Sequence, residues 1–197
     1  MLLLVGLGNP GPEHRRQRHN VGFMAIDAIA GRHHFQPFRK RFQGEVAEGV
    51  LDGTKVLLLK PLTYMNLSGK SVGEAAHFYK LPPQQVVVMH DELDLAPGKI
   101  RMKTGGGHAG HNGLRSVDAA IGPNYRRLRL GIGHPGKDRV LGYVLQNFAA
   151  DEHDWLDPLL DAVADEAGYL ARGDDAGFMT KVALILQPPK PTKPKEA

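Results

Sequence analysis

The chain contains no cysteine among its 197 residues. That excludes disulfides and thiolate metal centres, and it fits a reducing compartment. Long apolar runs are also missing, since residues 2–5 and 182–186 are far too short to span a bilayer. The N-terminus has no basic stretch and meets Gly6, Gly8 and Pro10 almost at once. No secretory leader is therefore expected, and the cytoplasm is the expected location. Two catalytic signatures are absent too: a His-Glu-x-x-His zinc motif and a full Gly-x-x-x-x-Gly-Lys-Ser/Thr phosphate loop.

What is present is an ordinary globular composition, 42% hydrophobic and 23% charged, with length for one well-cored domain. The charge is unevenly placed. Nine of the 21 acidic residues lie between Asp151 and Asp175, where Arg172 is the one basic residue, so the remainder carries 12 acids against 24 bases. A body this basic points to a polyanionic partner, although scattered lysine and arginine also make a plain solvated surface. The last ten residues, 188–197, hold four prolines and three lysines and read as a disordered tail after a domain spanning 1–187.

Hydrophobic period sets the expected order of elements. Residues 2–5 and 86–89 are short apolar runs typical of buried strands. Residues 45–51 and 55–60 form a hairpin pattern across Asp52-Gly53. Residues 99–103 resemble a strand, and 125–132 alternate, with Leu128, Leu130 and Ile132 on one side and Arg127, Arg129 and Gly131 on the other. Val21, Met24, Ala25, Ala28 and Ile29 fall at helical spacing, with Asn20 a suitable N-cap. Further helices are expected around Val72 to Tyr79, from Leu114 to Ile121, over 155–170 and over 174–186. Residues 32–43 are basic and aromatic without a period. Strands interleaved with helices predict an α/β layered sheet with helices on both faces and one added hairpin.

The chemistry-bearing residues gather in loops. Residues 105–114, GGGHAGHNGL, hold five glycines between a strand and a helix, which suits a backbone that approaches a ligand closely. A flexible linker is the plainer reading. Gly6-Leu-Gly-Asn-Pro-Gly11 loosely matches a dinucleotide fingerprint, but Pro10 withholds a backbone donor that a pyrophosphate would need. Asn9, Asn66 and Asn112 are neutral donors able to bind an oxyanion, and each also suits a turn. His19, just before a helix, can serve as a general base near neutral pH, and Asp91, at a strand end, can orient it. Arg15, Arg16 and Arg18 oppose protonation of His19 while Asp91 favours it; the sequence leaves that balance open. A metal site built from His90, Asp91, His108 and His111 is the alternative, and it lacks the usual helical spacing.

Six segments then fall into one pattern: residues 5–11 (VGLGNPG), 18–22 (RHNVG), 65–69 (MNLSG), 90–94 (HDELD), 105–113 (GGGHAGHNG) and 129–136 (RLGIGHPG). Together they resemble the bacterial-type peptidyl-tRNA hydrolases, over nearly the whole chain to about residue 186. The resemblance implies a monomeric, single-domain three-layer α/β/α sandwich with a central mixed, twisted sheet. It implies hydrolysis of the ester joining a peptide to the terminal ribose of tRNA, with no metal, cofactor or membrane involved. In that pattern His19 is similar to the base and Asp91 to its partner. Asn9, Asn66 and Asn112 match the substrate and transition-state amides, Met65 the lining of the peptide cleft and His111 the neighbour of Asn112. Lys103 and Arg129 match basic positions directed at tRNA phosphate. His14 stands where the family usually has tyrosine, a position associated with the tRNA end of the site. A scaffold relative that binds RNA without turnover is the competing expectation.

Overall fold

The computed structural model describes residues 1–187, so the expected tail lies outside the described residues. Seven strands form one sheet: β1 (Leu2–Gly6), β2 (Arg39–Arg41), β3 (Gly44–Leu51), β4 (Thr54–Pro61), β5 (Val86–Glu92), β6 (Ile100–Thr104) and β7 (Arg126–Gly131). Their spatial order is β2-β3-β4-β1-β5-β7-β6. The four central strands, β4, β1, β5 and β7, run parallel, and β2–β3, β3–β4 and β6–β7 pair antiparallel. The sheet is therefore mixed, as expected.

Central parallel strands are covered on both sides, and that is why β1 and the start of β5 are apolar runs rather than alternating ones. Leu2 and Leu4 join one core with α1 (Val21–Arg32), α5 (His153–Asp165), α6 (Ala167–Ala171) and α7 (Asp175–Leu186). Leu3 and Val5 join the other, with α2 (Ser68–Phe78) and α3 (Asn112–Ile121). Three layers result. Each fully buried leucine or valine contributes roughly 1.5–3 kcal/mol, so the two faces of β1 alone account for a sizeable part of the core.

The structure departs from the sequence expectations in four places. The basic residues 39–41 form an edge strand; three consecutive charged side chains carry no apolar alternation, but they suit an edge that must not pair with another chain. β5 continues past residue 89 through His90 and Asp91 to Glu92, because β7 supplies ladder partners for those polar residues. The long helix expected over 155–170 is two helices, interrupted at Glu166, where the chain turns so that Gly168 can lie against Asp52. Asn20 does not cap α1 with its side chain, which is engaged elsewhere.

β1 is flanked by β4 and β5, and the connections out of β1 and β4 leave on opposite faces, through α1 and α2. The crevice at the carboxyl ends of β1, β4 and β5 is thus a topological switch point, where open α/β sheets place ligands. Among the described residues no helix is long and apolar enough to cross a membrane.

Candidate active site

Two glycines let the first helix close onto this crevice. A Cβ on Gly6 would lie 2.1 Å from the Gly22 carbonyl oxygen, and one on Gly22 would lie 2.4 Å from the Met89 carbonyl oxygen. The first turn of α1 therefore sits directly on the ends of β1 and β5. Immediately before it, Arg18–Asn20 form a 3-10 turn. With three residues per turn, successive side chains leave about 120° apart, so this triplet reaches three different neighbours.

His19 reaches Asp91, its Nδ1 lying 2.8 Å from Oδ2. Asp91 is buried, and its other oxygen, Oδ1, lies 2.8 Å from His111 Nε2. The tautomer of His111 follows from its second nitrogen. Nδ1 accepts from the backbone N–H groups of Gly113 and Leu114, at 3.1 and 3.3 Å, and so caps the start of α3. His111 Nε2 must then carry the hydrogen donated to Asp91. Asp91, as a carboxylate, can only accept, so His19 Nδ1 donates, and in the neutral ring His19 Nε2 is left with a lone pair.

The electrostatics resolve the balance that the sequence leaves open. Burial pushes the His19 imidazolium down, but the charge of Asp91 and its hydrogen bond outweigh this and hold His19 above its ordinary value. Burial would raise Asp91, and the two imidazoles beside it hold its carboxyl well below the usual range instead. The Arg18 guanidinium turns away from this pair. It donates to the Tyr143 carbonyl and Gln146 Oε1 at 3.1 and 3.2 Å, and to Glu152 Oε2 at 2.8 Å, stacked 4.0 Å from the centroid of the Tyr143 ring.

The three asparagines occupy distinct settings. Asn9, after β1, accepts on Oδ1 from the Met65 N–H at 2.8 Å, which leaves its NH2 group as a donor. Asn66 is exposed in the 3-10 turn Met65–Leu67 that precedes α2. Asn112 is the exposed first residue of α3, and its Oδ1 accepts from Arg115 Nη1 at 3.3 Å. Met65 is buried, with Sδ 2.6 Å from where a Cβ on Gly113 would stand. Gly113 is thus the point at which the Asn9–Met65 group and the His111–Asp91 group meet.

A cavity of about 710 Å³ opens beside His19, bordered by His90, Asp91, Lys103, Asn112 and Arg129, with Val140, Leu141 and Val144 of the short helix α4 (Val140–Val144) as one wall. Lys103 is exposed there, whereas Arg129 is paired with Glu92 through Nε at 2.6 Å. His14 does not border the cavity; its Nδ1 is 2.9 Å from Gln17 Oε1. The glycine-rich stretch is not a free linker. Its Gly106 and Gly107 carbonyls accept from buried Arg127 at 3.0 and 2.8 Å, and Gly105 and Gly106 adopt φ of 71° and 93°, where a side chain would be strained.

The alternative metal set of His90, Asp91, His108 and His111 is not brought together. His108 Nδ1 accepts from the Gly110 N–H, and His90 Nδ1 donates to the Asp91 carbonyl. Burial, with His111 close by, pushes His90 down to about 4, so it is neutral at pH 7. Among the described residues the ligand atoms that do converge, within 4.8 Å, belong to His19, Asp91 and His111. Sequence reasoning misses Arg18, Asn20, Arg127 and Glu92, which fasten the site. The signal for the first two is their place on either side of His19.

Relatives among known proteins match over nearly the whole chain. Residues 3–191 match the sequence family described as "Peptidyl-tRNA hydrolase". The chain is 64% identical over 197 residues to a peptidyl-tRNA hydrolase of Parvibaculum lavamentivorans, covering 99% of this chain and 96% of that protein. It is 65% identical over 189 residues to one of Paracoccus denitrificans, covering 95% and 80%. The crystal structure of peptidyl-tRNA hydrolase from Acinetobacter baumannii superposes with a TM-score of 0.87 at 43% identity, covering 92% of this chain and 94% of the other. On that agreement of sequence and fold, the chain belongs to the peptidyl-tRNA hydrolase family.

Proposed function

We propose that this chain hydrolyses the ester between a peptide and the terminal ribose of tRNA, with His19 as general base. The observation that carries this is the His19–Asp91 hydrogen bond at 2.8 Å, which in the neutral ring assigns the hydrogen to Nδ1 and leaves Nε2 as the basic nitrogen beside a cavity. A water bound there gives its proton to His19 Nε2 while its oxygen attacks the ester carbonyl carbon. The carbonyl oxygen takes up the negative charge, and amide donors about 2.7–3.1 Å away stabilise it. We assign that task to the free NH2 of Asn9 and to Asn112. The bond to the ribose oxygen then breaks, and the imidazolium returns its proton to that oxygen. Asp91 holds the ring in one tautomer and offsets the charge that forms, as the acid of a triad does, without a protein nucleophile. An ester has a good enough leaving group for this direct route.

Asn66 and Met65 are assigned to the peptide side, with His111 holding the start of α3 beside Asn112. Lys103 and Arg129 line the cavity where tRNA phosphate is expected, and the basic excess outside residues 151–175 supplies salt-sensitive affinity for the tRNA backbone. His14 is assigned to the tRNA end only through its position in the family pattern. We further propose that residues 1–187 act as one domain, as a monomer, in the cytoplasm. The direct test compares an N-acylated aminoacyl-tRNA with the free aminoacyl form under single-turnover conditions. Release from the acylated substrate alone supports the reading. Tight binding without release from either would make the chain an RNA-binding relative, and activity lost on exhaustive chelation would favour the metal reading.

A further inference from the structure

Asn20 is 1% exposed and makes no capping bond to α1. Both ends of its side-chain amide are engaged by one residue. Oδ1 accepts from the Asn9 N–H at 2.9 Å, and Nδ2 donates to the Asn9 carbonyl at 2.9 Å. This is a reciprocal pair, the arrangement two strands make, but closed by a side chain. It ties both backbone groups of Asn9 and so fixes the direction in which the Asn9 side chain leaves. The Met65 N–H donates to the Asn9 amide oxygen at 2.8 Å, which leaves the NH2 as the free end of that amide.

The surroundings explain why such a clasp is needed. Asn9 stands between Gly8 and Pro10, beyond the end of β1, so no ladder partner can hold it. The clasp also starts from the residue next to His19, within the same 3-10 turn. One turn therefore sets the base with one side chain and the amide donor with the next.

We propose that Asn20 is a positioning residue for ester hydrolysis, acting through the backbone of Asn9 and linking the placement of that amide to the placement of His19. The inference rests on the reading of Asn9 as an amide donor at the reacting centre. Asn20 touches no substrate.

The test is N20D, which has the same shape. One carboxylate oxygen still accepts from the Asn9 N–H, but the other faces the Asn9 carbonyl, oxygen against oxygen. We expect kcat on peptidyl-tRNA to fall at least tenfold while KM stays within about twofold, because Lys103 and Arg129, the residues assigned to tRNA phosphate, are unchanged. A double-mutant cycle with N9A separates the modes of failure. If Asn20 acts through Asn9, N20D changes kcat by less than twofold in the N9A background. If N20D is as harmful there as in the parent, or if N20D keeps parental kcat, the positioning role is wrong. If N9A itself keeps parental kcat, the assignment of Asn9 fails instead. Near-ultraviolet circular dichroism reports whether each variant is folded. Should N20D not fold, N20S is used: it removes the clasp without opposing oxygens, and the same kcat-selective loss is expected, parental kcat again overturning the proposal.

Discussion

His111 and Asp91 are joined at 2.8 Å by a nitrogen whose ring partner caps a helix. One imidazole thus connects the acid of the site to the N-terminus of α3, and it can do so only as the neutral Nε2–H tautomer. His111→Asn keeps a good N-cap side chain and loses the reach to Asp91, whereas His111→Ala loses both. The alanine variant is expected to be less stable than the asparagine variant by about 0.5–2 kcal/mol, the worth of an N-cap. Both should lose activity. Equal melting temperatures would contradict the capping role.

The pH dependence follows from His19 and Asp91. The base must be neutral, so the rate rises with pH through the His19 pKa, which Asp91 holds above the ordinary imidazole value. In Asp91→Asn that support is gone and burial remains, so the acidic limb of the kcat/KM profile moves to lower pH. The plateau falls at the same time, because the ring is no longer held in its tautomer. A profile that keeps its midpoint in the variant would show that Asp91 does not act on His19.

Arg18 and Glu152 make a largely buried pair, 7% and 18% exposed at their side chains. Removing one partner leaves the other charge uncompensated, which costs about 3–5 kcal/mol for a buried pair. Glu152→Ala is therefore expected to lower the melting temperature clearly. The double variant Arg18→Ala/Glu152→Ala should lose less than the sum of the single losses. Since Arg18 also holds the Tyr143 carbonyl, these variants should raise KM by loosening the α4 wall. Additive losses in the cycle would rule out the pairing.

Lys103 and Arg129 differ although both line the cavity. Lys103 is exposed, while Arg129 already neutralises Glu92. Lys103→Ala should weaken tRNA binding and reduce the slope of log K against log salt by about 0.7–0.9 for each phosphate that is no longer neutralised. Arg129→Ala should reduce the slope less and shift stability more, because it leaves Glu92 unpaired. Identical salt slopes for the parent and Lys103→Ala would remove the lysine from the tRNA-binding surface.

Much of this architecture is legible in the sequence because period is a local property. The runs at residues 2–5 and 86–89 announce buried strands by themselves, and Asp52-Gly53 announces its hairpin. The α1 face, with Ala25 and Ile29 buried, follows from spacing alone. Other features depend on partners distant in sequence. β5 reaches Glu92 only because β7 pairs with it, and Arg39–Arg41 become a strand only because β3 lies alongside. In the site, His19 and Asp91 are legible as a candidate base and a candidate orienting acid, and the structure brings them together across 72 residues. Asn20 reads as a cap because an asparagine before a helix usually is one; its partner Asn9 lies eleven positions away in a loop without a period. His111 reads as a neighbour of Asn112, and only its placement in three dimensions makes it the cap of α3 and the second donor to Asp91.

The mechanism stands or falls on His19 taking the proton from the attacking water. Single-turnover release of peptide from peptidyl-tRNA by His19→Ala, measured alongside tRNA affinity and the melting temperature, tests this step without intermediaries. Release is expected to be abolished while tRNA affinity and folding are largely retained. Near-parental turnover by a folded His19→Ala protein would contradict it.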